Sequence, residues 1–281
     1  MDEPRVAAEI IEHYQQSRPE DRRLRVGLGR LELLRTQELI RRHLGPGRRQ
    51  VLDVGGASGV HAEWLAADGH RVHIVDPVPL HVEQATELGR RSAAPFTAEV
   101  GDARRLAHAD GSVDVVLLLG PLYHLVERAD RVAALAEARR VVRPGGSVFA
   151  AGISRFASLY DGLSRGLLAD PDFRSVVDAD LASGQHRNPG GRADWFTTAY
   201  FHRPDELPVE AAEAGLDVVG LFGVEGISAW LQRSARGPDR DAVVADDELA
   251  PDLEAARLVE QEATVVGVSP HLLLVARRGP A

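Results

Sequence analysis

The stretch Val51-Leu52-Asp53-Val54-Gly55-Gly56-Ala57-Ser58-Gly59-Val60-His61-Ala62 passes from an apolar run through a glycine-rich turn into an amphipathic segment. Gln50 to Val54 is short and apolar, which suits a strand buried in a parallel sheet. Ser58 to Ala67 carries Val60, Trp64 and Leu65 at helical spacing. Between them Gly55, Gly56 and Gly59 can take backbone angles closed to other residues, and they leave room for a ligand to touch the main chain near helix amides. The dinucleotide spacing G-x-G-x-x-G does not fit: counted from Gly55, its middle position is Ala57 and its last is Val60. The spacing that fits is acid-x-Gly-x-small-x-Gly, through Asp53, Gly55, Ala57 and Gly59. Such a turn is expected to hold a nucleoside cofactor; a tight turn that binds nothing is the plain alternative.

Two more strands end in acids. Arg71 to Val75 runs into Asp76-Pro77, and an acid about 20 residues after the glycine turn, at the end of the next strand, is placed to bind a ribose hydroxyl pair. After a helix over Pro79 to Arg91, the strand Phe96 to Val100 runs into Gly101-Asp102-Ala103. A lone acid at a strand end serves as readily as a helix cap. Asp53, Asp76 and Asp102 at or near three successive strand ends form a pattern. Val113 to Leu119 is apolar without alternation, as a central strand covered on both faces requires, and leads into Gly120-Pro121-Leu122-Tyr123-His124-Leu125. Arg128 to Val142 reads as a helix closed by Arg143-Pro144-Gly145-Gly146, before a fifth strand over Ser147 to Ile153.

The glycine turn with its leading acid resembles the first motif of class I S-adenosylmethionine-dependent methyltransferases. Gly120 to Leu125 is similar to the fourth motif of their small-molecule subset, often G-P-L-Y-H-L, and the R-P-G-G turn is frequent in the same family. These motifs cover residues 48–152, and Ala57 stands where the family usually has glycine. The resemblance implies an α/β fold: a doubly wound, seven-stranded, mostly parallel Rossmann-like sheet, with the last strand antiparallel beside the sixth. It implies S-adenosyl-L-methionine as cofactor and S-adenosyl-L-homocysteine as product. The cofactor is expected among Asp53, Gly55, Gly56, Ala57, Gly59, Asp76, Pro77, Gly101, Asp102, Ala103, Leu119, Gly120 and His124, with Asp102 taking the adenine amino group. His124 faces the methyl group, where it acts as a general base, as a local hydrogen-bonding group, or only in packing.

Outside the core, Val6 to Gln16 is a short amphipathic piece containing Tyr14. A longer helix starts near Glu20 or Asp21, turns Leu24, Leu28, Leu31, Leu34, Leu39 and Ile40 inward, and ends at His43 to Gly47. In the resembling family such helices often cover the site, which makes Tyr14 and Arg23 candidate contacts, packing and solvation being the alternative. From Ser154 to about Arg203 the pattern becomes helical, then a glycine-rich loop, then the aromatic cluster Trp195 to His202. These aromatics either wall an apolar acceptor pocket or form a satellite core. Tyr160 and His202 are alternative bases. Leu216 to Val224 is a sixth strand, Glu248 to Ala263 a helix and Pro270 to Ala276 the last strand.

The composition, 44% apolar and 27% charged over 281 residues, is that of an ordinary globular chain. With no cysteine there is no disulfide, thiolate nucleophile or cysteine-bound zinc, and a net charge of -9 disfavours a protein that coats nucleic acid. Neither a signal peptide nor a long apolar span is legible, so a cytoplasmic protein without membrane or nucleic-acid partners is expected, as monomer or homodimer. No spacing resembles a dedicated metal site, and none is expected. The expected organisation is one domain: a helical lid over residues 1–47, a cofactor core over 48–152, a substrate-lid insertion over 153–203 and the remainder of the sheet over 204–281. The absence of an Asn/Asp-Pro-Pro-Tyr segment at Leu119 to Leu122 disfavours nucleic-acid and protein-amide acceptors. The expected activity is methyl transfer to O, N or C of a small apolar or aromatic metabolite, as in secondary metabolism. The alternatives are an NAD-dependent oxidoreductase and a non-catalytic S-adenosylmethionine-binding protein.

Overall fold

A computed structural model of the chain describes residues 20–188, 190–192, 195–237 and 242–280, without the side chains of residues 20–22 and 28. In chain order the elements are α1 (Glu20–Arg25), α2 (Gly27–Leu44), β1 (Gln50–Val54), α3 (Val60–Ala67), β2 (Arg71–Asp76), α4 (Pro79–Arg91), β3 (Thr97–Val100), β4 (Val113–Leu118), α5 (Pro121–His124) and α6 (Arg128–Val141). They continue with β5 (Val142–Ser154), α7 (Ala157–Arg165), α8 (Pro171–Ser183), β6 (Gln185–His186), β7 (Ala199–His202), α9 (Glu206–Glu213), β8 (Asp217–Gly223), α10 (Ser228–Arg236), α11 (Ala250–Val259) and β9 (His271–Arg277).

Seven strands form the body of the sheet in the order β3-β2-β1-β4-β5-β9-β8, with the first five parallel and β9 antiparallel to both neighbours. The last strand therefore lies between the fifth and the sheet-closing β8. Two further strands make a small hairpin, β6 with β7, which joins the tip of β5 only at Ile153 and Ser154.

Alternate residues of each central strand feed two cores. Leu52, Val116, Val148 and Leu274 pack under α6 and α9, while Val51, Leu117, Phe149 and Val275 pack under α2, α3 and α4. Both faces are covered, which is why β4 reads as an unbroken apolar run.

Two segments depart in kind from the sequence reading. The long amino-terminal helix is two helices, broken where Val26 is extended and Gly27 takes φ +52°. The bend brings Gly29 so close to α1 that a Cβ there would lie 1.9 Å from the Arg23 carbonyl oxygen. The R-P-G-G segment is part of β5, an excursion between the pairs Val113 with Val142 and Val115 with Ser147.

Candidate active site

The carboxyl ends of β1, β2, β3 and β4 meet around a cavity of about 340 Å³, within the range of roughly 300–1,000 Å³ usual for small-molecule sites. The glycine turn forms its floor. Gly55 N–H donates to Val75 O at 2.7 Å, which ties the turn to β2. A Cβ on Gly55 would lie 2.7 Å from Pro121 Cδ, so the turn after β1 and the segment after β4 touch only because that residue is glycine. Ala57 takes φ +47°, the left-handed region that costs an alanine about 1–2 kcal/mol. Its N–H donates to Asp76 Oδ2 at 2.9 Å, a bond that holds the strained turn.

Asp53 is 1% exposed, and neither of its carboxylate oxygens has a hydrogen-bond partner among the described residues. Burial first, and then the neighbouring Asp76, push its carboxyl up from 3.8 to about 7. A buried acceptor left without donors, facing a cradle into which no side chain projects, fits a ligand that carries a cationic or donor group. Asp76 is better served: Oδ1 accepts from Val78 N–H at 2.9 Å and lies 3.1 Å from His81 Nδ1. Asp102 is gripped by Arg104, whose Nε and Nη2 lie 3.0 and 2.7 Å from its two oxygens, and Arg104 Nη1 reaches Asp130 at 2.9 Å.

His124 also lines the cavity, with Nδ1 3.4 Å from the Thr198 carbonyl, its ring stacked on Phe196 at 5.9 Å and edge-on to Tyr123 at 4.8 Å. The rim is built by segments outside the core: Arg23, Leu24 and Glu32 from α1 and α2, and Arg187 and Thr198 from the insertion. Arg23 binds Glu32 through both guanidinium ends at 2.6 and 3.0 Å. Burial alone would raise the Glu32 carboxyl, but Arg23 and His271 outweigh it and hold it at about 2. His61 lines the same cavity, and burial pulls its imidazole down to about 4, so the ring is neutral at pH 7.

Of the residues read from the sequence, Arg23, Asp53, Gly55, Gly56, Ala57, Asp76, Pro77, Gly101, Asp102, Ala103, Leu119, Gly120 and His124 line this one cavity. Tyr14 lies outside the described residues. Gly59 does not line it: it starts α3 at φ +99°, where a Cβ would lie 3.0 Å from Phe96 Cε2. Two expected bases are corrected. His202 is fully buried away from the cavity, 3.3 Å from Glu210 inside a network with Arg131, because β7 turns it inward against α9. Tyr160 packs on Trp230 at 5.8 Å, held by the pairing of α7 with α10. Nor do the aromatics of the insertion line the cavity: Trp195 joins Phe173, Val176 and Val177 in a satellite core, and Phe196 stacks on His124 with Phe201 against Phe196.

Sequence reasoning passed over Glu32, His61, Arg104, Tyr123, Arg187 and Thr198. His61 and Tyr123 stood inside the quoted motifs. Glu32 and Arg187 had no signal, since only the folding of the lids brings them to the rim.

A Methyltransferase domain family model matches residues 51–146. The chain is similar to the Ubiquinone biosynthesis O-methyltransferase of Methylococcus capsulatus, 31% identical over 66% of this chain and 71% of that one. To the enzyme of that name from Thiobacillus denitrificans it is 34% identical, over 63% and 68% of the two chains. To that from Methylocella silvestris it is 32% identical, spanning 60% of that protein's length. In fold it is similar to the geranyl diphosphate C-methyltransferase of Streptomyces coelicolor, whose crystal structure holds S-adenosyl-L-homocysteine, with a TM-score of 0.55, 18% identity and 89% and 82% of the two chains covered. With relatives of this identity and span, and with the strand ends converging on one cavity, the chain belongs to the S-adenosylmethionine-dependent methyltransferases.

Proposed function

We propose that this enzyme transfers the methyl group of S-adenosylmethionine to a hydroxyl oxygen of a small aromatic or otherwise apolar metabolite, with His124 as the base. The observation that carries the reading is the position of His124, on the cavity wall between the glycine cradle and the insertion, with a carbonyl at Nδ1 and a phenyl ring behind it. The names of the curated relatives support oxygen as the acceptor atom.

Asp76 holds the ribose hydroxyls, the main chain of Gly55 to Ala57 lies against the cofactor, and Asp53 meets its ammonium group. The sulfonium supplies an activated methyl. The protein therefore has to orient an acceptor in line with it, work that positioning accomplishes at about 7–11 kcal/mol when complete. A carbonyl accepting from Nδ1–H leaves Nε2 as the basic nitrogen, suited to take the hydroxyl proton as the C–O bond forms. Arg187, Thr198 and Tyr123, which line the cavity with His124, define the acceptor side, and Arg23 with Glu32 lines the same cavity from the amino-terminal helices. The chain acts as one domain, with the described parts of residues 20–47 and 153–203 as its two lids. Among the described residues no helix is long and apolar enough to cross a membrane.

The test is a panel of phenols, catechols, amines and apolar carbon acceptors incubated with S-adenosylmethionine, with S-adenosylhomocysteine formation and product mass as readouts. Turnover is expected with hydroxylated rings. His124→Ala is expected to lower kcat by about 10²–10⁴-fold while S-adenosylhomocysteine affinity stays within about threefold. Methylation confined to amines or carbon, or an unchanged kcat in His124→Ala, overturns the reading.

A further inference from the structure

Two groups of metal-ligating side chains come together in the described part of the molecule, and they differ in what their atoms already do. In the first, Glu32, Glu225 and His271, every group is engaged: Glu225 accepts from Ser269 Oγ at 2.9 Å and His271 N–H at 3.2 Å, its other oxygen lies 2.5 Å from His271 Nδ1, and Glu32 is bound by Arg23. That cluster is a closed ion-pair network. The second, His73, Glu99 and His108, is open. It lies at the edge of the sheet, with His73 on β2, Glu99 on the edge strand β3, and His108 on the connection from β3 to β4.

One donor atom from each of the three lies within 4.8 Å of the others. His73 Nε2 stands 3.6 Å from Glu99 Oε1, and His108 Nδ1 stands 4.0 Å from the same oxygen. Around a tetrahedral zinc with bonds of about 2.0–2.1 Å, ligand atoms sit about 3.3 Å apart, so modest side-chain rotation closes the set. Two further observations point to a ligand. His73 Nδ1 is 2.7 Å from Thr97 Oγ1, a contact from the ring's other nitrogen that orients Nε2 towards Glu99, as outer partners of metal-bound imidazoles do. His108 Nδ1 is shut off from solvent and has no hydrogen-bond partner among the described residues, which is costly for a ring nitrogen unless something fills the place.

We propose that His73, Glu99 and His108 form a binding site for a divalent transition-metal ion of the zinc type, with water completing the coordination, and that the ion clasps the edge strand β3 to β2. Two imidazoles and one carboxylate select zinc, nickel, cobalt or copper over magnesium and calcium. The cation facing the site, Arg140, is held by Glu137 and Asp110 at 2.8 and 2.7 Å, which limits its repulsion of a metal. The consequence of the clasp is structural. β2 ends on Asp76, which pairs with Val100, and Asp102 follows β3 by two residues, so the ion braces the two strands that lead to the cavity from a point outside it.

The test is calorimetric titration of Zn²⁺ into the full chain, purified without a histidine tag and stripped of metal with a chelator that is then removed, followed by thermal unfolding with and without Zn²⁺. One site is expected, together with a Zn²⁺-dependent rise in Tm. His73→Ala and His108→Ala are each expected to weaken binding by at least about tenfold and to remove the rise in Tm, while their metal-free Tm stays that of the parent. Glu99→Gln is expected to do the same, and excess Mg²⁺ is expected to leave the titration unchanged. Equal Zn²⁺ affinity in the parent and in a His73→Ala/His108→Ala double variant overturns the proposal, as does absence of binding to the parent or equal competition by Mg²⁺.

Discussion

Replacing Asp53 by asparagine separates the folding role of this carboxylate from its role in binding. The side chain is 1% exposed and without hydrogen-bond partners among the described residues, and burial with Asp76 beside it raises its carboxyl from 3.8 to about 7. The folded state therefore holds this proton more tightly than the unfolded state. Stability conferred by the neutral form is fully present below about pH 4 and is lost as pH rises through about 7. The whole displacement corresponds to about 4 kcal/mol, of which roughly 2.5–3 kcal/mol falls between pH 5 and 8. Asp53→Asn cannot ionise, so urea unfolding of the two proteins without cofactor, at a series of pH values, is expected to show the parent losing stability relative to the variant by that amount. Titrating groups that do not interact with Asp53 cancel in the difference. A bound ammonium group would restore the ionised form, so S-adenosylhomocysteine should stabilise the parent more than the variant above pH 7. Stability curves that run parallel from pH 5 to 8, within about 0.5 kcal/mol, refute the argument that Asp53 is a desolvated, unpartnered acid.

Three further outcomes follow from the same geometry. Asp76→Ala is expected to weaken S-adenosylhomocysteine binding by at least about tenfold in calorimetry, since it removes both the acid proposed to hold the ribose and the acceptor that pins Ala57; an unchanged affinity refutes this. Glu210→Ala leaves the Arg131 guanidinium, 1% exposed, without its carboxylate partner, and is expected to cost about 3–5 kcal/mol in urea unfolding, whereas Arg131→Met with Glu210→Leu recovers most of the loss. Ala57→Val places a β-branched residue at φ +47° and is expected to cost about 1–3 kcal/mol and weaken cofactor binding, while Ala57→Gly leaves binding intact. Thermal unfolding and calorimetry of the pair check both halves of that statement.

The strands were legible because buried parallel strands leave a local mark. β1 and the helix α4 fall where the sequence reading puts them, and β2, β4 and β8 differ by a residue or so at their ends. The misses have specific causes. The break at Gly27 was hidden because α1 and α2 both carry inward leucines, so the helical pattern runs on through the bend. The R-P-G-G segment was read as a turn between elements because proline and glycine dominate it, whereas pairing of Val142 with Val113 draws it into β5. His202 looked like a base from its place in an aromatic cluster, and only the register of β7 on β5 turns it into the core against Glu210.

The sequence by itself determined the glycine cradle at the strand ends, because each of its parts is a short contiguous segment whose backbone geometry follows from its own residues: glycines at a turn, an acid at a strand end, a proline after a central strand. Only the tertiary structure decided what faces that cradle and what lies outside it. Thr198 stands behind His124 across 74 positions, Glu32 and Arg187 reach the rim from separate lids, and His73, Glu99 and His108 meet at the sheet edge. Their meeting depends on strand order, register and helix packing, which no local spacing encodes. For the same reason the glycine turn first quoted names the methyl donor, while the acceptor is set by side chains that the chain brings to it from far away.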